Sequence, residues 1–287
     1  MLTADQLDKL AYTLGAALII VLPAVIGLFW GAPLIARELE SGTFRLAWNQ
    51  SVTRERWLAV KLGVLGLTSM ALAGLLSLIL GWWASPIDHA AGIGSTGGIE
   101  PRFFPLLFGA RGIAPIGYAA FAFTLGVLIG LMVRRTIPAM AVTLAVFAIV
   151  QIAVPLWIRP HLITPVTNTV PLTASNINGL GMNQNGQIAD VFASAPSLPG
   201  AWIYSNQVTT SSGSTALGPV PQACQAPPQN GPQACFSALA QKNLKQVVVY
   251  QPADRYWTFQ WLELGIFLTV AILLAWACFW WVRRRLS

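Results

Sequence analysis

Ionisable side chains are scarce in this sequence, and many of them gather in one short stretch. Residues 36–62 hold Arg37, Glu38, Glu40, Arg45, Arg54, Glu55, Arg56 and Lys61. Carboxylates and cations at that spacing can pair with one another or dock a partner, but they supply neither a nucleophile nor a metal cage. Elsewhere the catalytic patterns fail in turn. No G-x-x-x-x-G-K-[ST] occurs, so the chain does not hydrolyse ATP by a P-loop mechanism. No G-x-S-x-G elbow and no H-E-x-x-H occurs, which argues against common hydrolase or intramembrane metalloprotease chemistry. The two histidines, His89 and His161, lack ligand spacing, so no metal site is expected. Residues Gly92–Gly97 fit G-x-G-x-x-G but have no strand before them and no helix after them, as a dinucleotide turn requires. The expectation is a chain with no catalytic residue and no cofactor of its own.

The elements that must position these residues are set by composition. Of 287 residues, 55% are hydrophobic and only 9% charged, with a mean hydropathy of +0.61. Soluble domains carry about 25% charged residues, so this is a membrane protein. A helix crosses the hydrocarbon layer in about 20 residues. Charge-free runs of that order lie between Lys9 and Arg37, Lys61 and Asp88, Arg111 and Arg134, Arg135 and Arg159, and Glu263 and Arg283. They predict an all-α membrane protein with five transmembrane helices, near 11–36, 57–83, 114–133, 137–157 and 259–282. None has the short apolar core and cleavage site of a signal peptide. The basic residues then fix orientation. Arg37, Arg45, Arg54, Arg56, Lys61, Arg134, Arg135 and Arg283–Arg285 fall on one side with Glu38, Glu40 and Glu55. The remaining charges, equal in number by sign, fall on the other. The whole net charge of +7 therefore sits on one face, which the positive-inside rule makes cytoplasmic, C-terminus included. Short juxtamembrane clusters of this kind are a topology signal, and no nucleic-acid partner is expected.

This topology makes the chain three parts: helices one to four within 1–158, an external region 159–256, and the last helix with its basic tail, 257–287. The external region is rich in Asn, Gln, Ser, Thr, Pro and Gly and reads as a small loop-rich domain, with one amphipathic helix over Cys235–Val249. Cys224 and Cys235 both lie in it, and an oxidising exterior favours a disulfide between them. The apolar run Phe103–Phe108 is too short to span. It suits an interfacial or re-entrant piece, or a loop packed on neighbouring helices. Glu263 stands beside Trp257 and Trp261 at the outer end of helix five and is expected at the interface rather than buried. Gln151 is the strongly polar side chain deep in helix four, with Pro155 a turn later. The two are candidates for a translocation path. With no ladder of intramembrane carboxylates or histidines, a proton- or sodium-coupled carrier is disfavoured.

The stretch Ala36-Arg37-Glu38-Leu39-Glu40-Ser41-Gly42-Thr43-Phe44-Arg45-Leu46, followed by Ser51-Val52-Thr53-Arg54 and Lys61, resembles the signature of ABC-2 type permeases. In that family a helix ends in an acidic-x-acidic-x-Gly-Thr turn. An amphipathic coupling helix follows, then Ser/Thr-x-x-Arg, and a Lys opens the next span. Gly42 suits the break and Thr43 a new cap, while Phe44, Leu46 and Trp48 would dock a partner. Asn49-Gln50 stands where many members have Pro. The Gly112-Ile113-Ala114-Pro115 start of helix three, the Arg134-Arg135-Thr136-Ile137-Pro138 hairpin and Tyr256–Trp261 are similar to a subgroup of the same family.

The resemblance implies the membrane subunit of a bacterial ABC exporter, in the cytoplasmic membrane. Residues Glu38, Glu40, Gly42, Thr43, Phe44, Leu46, Trp48, Arg54 and Lys61 would couple it to cytosolic ATPases that bind the ATP and Mg²⁺. A second permease copy or close relative would complete it, and the cargo would be hydrophobic or amphipathic, as in multidrug efflux. The same resemblance implies six spans with both ends inside, so a first span is expected to be missing from this sequence. A genuine five-span variant is the competing reading. The alternative function is a non-transporting accessory or sensor that binds a ligand through 159–256.

Overall fold

The computed structural model describes residues 4–43, 53–86, 102–182, 188–194, 196, 198–210, 221, 224 and 231–285. The chain divides into two compact units, one of residues 1–163 with 255–287 and one of residues 164–254.

The first unit is a bundle with five helices long and apolar enough to cross a membrane: Leu10–Ser41, Arg54–Trp83, Ala114–Val133, Thr136–Leu162 and Ala253–Arg284. We number these spans 1 to 5. The third is the hub. Two-thirds (67%) of its apolar stretch is buried, against 22–39% in the others. Its sequence explains why. Ala, Gly and other small residues recur all round the helix, which lets neighbouring backbones approach closely on every side. The tightest approach is to span 1. A Cβ on Gly126 would stand 2.5 Å from the Gly27 carbonyl oxygen, and one on Gly31 would stand 2.6 Å from that of Phe123. Two Gly-x-x-x-Gly pairs, Gly27/Gly31 and Gly126/Gly130, thus face each other. Span 1 widens to a π-helical turn over Ile26–Gly31 at this crossing. Span 4 has a second such turn, Val154–Ile158, at Pro155. Insertions of this kind accompany proline and the freed hydrogen bonds it leaves.

Helix ends follow local chemistry. Gly42 takes the left-handed conformation (φ 73°) that closes span 1. Thr53 opens span 2, its hydroxyl accepting from the Arg56 N–H at 3.3 Å. The run Phe103–Phe108 leads into a short helix, Pro105–Ala110. Phe103 and Phe108 are buried among Tyr256 and Phe259 with ring centroids 5.4–5.6 Å apart. The run is thus a short helix packed on its neighbours rather than a loop.

The second unit corrects the expectation of an all-α, loop-rich chain. It holds a three-stranded antiparallel sheet and a two-stranded one. The strands are β1 (Val166–Pro171), β2 (Ile177–Met182), β3 (Ile188–Ala193), β4 (Trp202–Thr209) and β5 (Lys245–Gln251). Strand β5 lies between β1 and β4, and β2 pairs with β3. The helix expected over Cys235–Val249 runs instead over Gly231–Ala240, and the β-branched run Val247–Val249 is the centre of β5. Three adjacent valines lose rotamer freedom in a helix and pack well on a pleated surface, so the strand wins. Cys224 and Cys235 form a disulfide, buried with Leu172, Val208, Leu239 and Leu244. Gln246, fully buried on β5, donates to the Ser194 carbonyl at 2.7 Å and to Asn206 Oδ1 at 2.8 Å.

Candidate functional site

Two polar clusters occupy opposite ends of the bundle, joined by span 4, whose residues 136 and 159 are about 34 Å apart at 1.5 Å per residue. The first gathers the acidic signature. Glu38 forms an ion pair with Lys61 of span 2, which also lies over the Trp57 ring. Glu40 accepts from both the backbone N–H of Thr136 at 3.0 Å and its hydroxyl at 2.7 Å. It thereby supplies the start of span 4 with a cap that Arg135 does not provide, at the end where a helix dipole favours an anion. Ser41 and Thr43 share a hydrogen bond of 3.0 Å at the Gly42 turn. On the neighbouring face Glu55 accepts from Arg283 Nε at 2.7 Å and Nη2 at 2.9 Å, tying span 2 to span 5. Glu38 and Glu40 therefore engage spans 2 and 4. Phe44, Leu46 and Trp48 lie outside the described residues, as do Gly92–Gly97. Arg54 opens span 2 directly after the Thr53 cap.

The second cluster overturns the interfacial expectation for Glu263. Its side chain is only 1% exposed, and that of Arg159 is 2% exposed. Arg159 donates from Nε to Oε2 and from Nη2 to Oε1 of Glu263, both at 3.0 Å. The Tyr118 hydroxyl donates to Oε1 as well. The guanidinium lies 4.0 Å from the centre of the Phe108 ring. Spans 3, 4 and 5 are thus joined by one buried network, with the short helix at 105–110 against it. Such a pair is retained only when geometry is good and partners are complete, since desolvating two ions costs several kcal/mol each. Nearby, Gln260 ties span 5 to the start of span 3. Its Oε1 accepts from the N–H groups of Ile113 (3.0 Å) and Ala114 (2.8 Å), and its Nε2 donates to the carbonyls of Phe108 (3.1 Å) and Arg111 (3.0 Å). Gly112 is required there. It has φ 78°, and a Cβ would stand 2.8 Å from the Gln260 amide.

Beside the network is a cavity of about 360 Å³. The structure brings Gln151 and Pro155 into its lining, together with Ile152, Leu156, Tyr118 and Glu263. Among the described residues, no group of three or more His, Cys, Asp or Glu could hold a metal ion. The second cluster clamps spans 3, 4 and 5 together and stands beside an apolar hollow.

Five long apolar helices fastened by these clamps fit a multi-pass membrane protein. A family model described as ABC-2 membrane transporter related matches residues 3–159, more than half of the chain, and the chain belongs to that family. No curated protein and no solved structure matches it.

Proposed function

We propose that this chain is the transmembrane subunit of an ATP-driven ABC exporter that moves a hydrophobic or amphipathic compound across the bacterial cytoplasmic membrane. A pair of separate ATPase subunits holds the ATP and Mg²⁺, and a second permease copy or close relative completes the path. The end of the bundle carrying Arg54, Arg134, Arg135 and Arg283 faces the cytoplasm, and the unit 164–254 faces outward.

The observation that carries this reading is the double clamp of Glu38 on Lys61 and Glu40 on Thr136. It sits at the point where the chain leaves span 1 for residues 44–52 and returns through Thr53 into span 2. A partner that pushes those residues acts on span 1 through Gly42, on span 2 through Thr53 and Lys61, and on span 4 through Thr136. One contact thus moves three helices, as coupling to a nucleotide-driven partner requires.

The experiment is co-purification with the cognate ATPase, reconstitution, and measurement of ATP hydrolysis stimulated by candidate compounds. Arg54→Glu and Trp48→Ala abolish the stimulation while the chain still inserts and folds. Normal stimulated hydrolysis in both variants sinks the coupling assignment.

A further inference from the structure

The 360 Å³ cavity is bounded by span 4 at its π-helical turn, by the buried network and by the short helix at 105–110. Phe104, Ile152 and Leu156 of its lining are exposed apolar side chains. A lining of this apolar character selects compounds that leave water readily. The floor holds two full charges, yet neither is available to a ligand. Both oxygens of Glu263 are engaged, and the Arg159 guanidinium is spread between that carboxylate and the Phe108 face. An ion entering this hollow would find no counter-charge, and burying an uncompensated ion is strongly unfavourable. Gln151 differs. Its half-buried amide lines the cavity and makes no hydrogen bond to any described residue. It offers one acceptor oxygen and two N–H donors to whatever lies beside it.

We propose that this cavity is a binding site for a neutral, predominantly apolar molecule carrying one hydrogen-bonding group, with Gln151 as its specificity-determining residue. Naming that molecule as cargo rests on the transport reading; its binding does not. Such a site follows the usual design of small-molecule pockets, an apolar lining with few polar groups that set orientation.

The test uses the purified full chain in phosphatidylcholine nanodiscs, without any ATPase. The probes are N-phenyl-1-naphthylamine, neutral with a single N–H, and 8-anilinonaphthalene-1-sulfonate, the same skeleton bearing an anion. The neutral dye binds saturably above the level of empty discs, and the sulfonate does not. Gln151→Leu keeps the volume but removes the amide, and it weakens the neutral dye about fivefold, the worth of one hydrogen bond. Gly109→Leu projects into the cavity and weakens it at least tenfold. Gly63→Ala leaves it unchanged, because Gly63 is outside the cavity lining and an added Cβ there meets nothing within 4 Å. Absence of saturable binding, equal binding of the sulfonate, or unchanged affinity in Gln151→Leu overturns the proposal. Dye binding that persists while no compound stimulates the ATPase would instead remove the transport reading and leave the site standing.

Discussion

Glu263 and Arg159 together bring two opposite charges into a place where each alone would be prohibitive. Removing one partner leaves the other buried and unpaired, at a cost of about 3–5 kcal/mol, whereas replacing both with apolar residues is often neutral. Glu263→Leu is therefore expected to lower the thermal midpoint of the purified protein sharply, and Arg159→Met to do likewise. The double variant should regain most of the loss. A double-mutant cycle on thermal unfolding checks this, and strictly additive losses would show that the two do not act as a pair. The pair was legible in the sequence but was obscured by its position. Both residues end charge-free runs, where a charge is normally read as a boundary marker in contact with water. The better signal is periodic. Tyr256, Gln260, Glu263 and Phe267 recur at intervals of four, three and four on one face of span 5, and all four are buried. Trp257 and Trp261, which suggested an interfacial setting, lie about 110° round the helix from that face and are 52% and 64% exposed. Glu38, Glu40 and Lys61 were grouped by their resemblance to a permease signature. Their partners were not legible, because sequence separation says nothing about which of several cations or helix starts a carboxylate will meet.

Spans were the most legible elements, since length and absence of charge are dictated by the bilayer itself. What made span 3 the hub was less visible, because glycine in an apolar helix marks either a close approach or nothing. The structure separates the two cases and yields a matched prediction. Gly126→Ala places a methyl group 2.5 Å from the Gly27 carbonyl oxygen, whereas a Cβ at Gly63 has nothing within 4 Å. The first is expected to destabilise by about 1–3 kcal/mol through forced separation of spans 1 and 3. The second is expected to be neutral or to stabilise by up to about 1 kcal/mol, by restricting the unfolded chain. Thermal unfolding of the two variants decides it, and equal behaviour would contradict the close crossing. The strands of the second unit escaped notice because they are short and polar, with turn residues between them. Val166-Thr167-Asn168-Thr169-Val170 alternates at period two, and its burial alternates with it. A run of three valines in β5 is likewise a strand signal. With so small a core, the Cys224–Cys235 link matters. Reduction is expected to cost this unit about 2–5 kcal/mol, seen as faster limited proteolysis within 164–254 while the spans remain protected.

At the scale of the whole molecule the open quantity is sidedness, and it links the clamp, the disulfide and the charge distribution. A membrane protein of this charge pattern retains its basic loops on the cytoplasmic side, because short Lys- and Arg-rich segments resist translocation. Disulfides persist where the compartment is oxidising. Both arguments support the proposed orientation, with the Glu38–Lys61 end inside and the disulfide-bearing unit outside, and they rest on independent physics. Coupling to a cytosolic ATPase requires the same orientation, so its failure would remove the coupling assignment as well. Lys242 and Arg284 are both exposed and lie in the two places that must differ. Lys242→Cys is expected to react with a membrane-impermeant maleimide on intact cells, with the outer membrane permeabilised where there is one. Arg284→Cys is expected to react only after the cytoplasmic membrane is opened. Cys278, buried in span 5, should contribute little background in either condition. The reverse pattern would place residues 44–52 outside, beyond the reach of any ATP-driven partner. The Glu38–Lys61 and Glu40–Thr136 contacts would then be helix-end fastenings with no force to transmit.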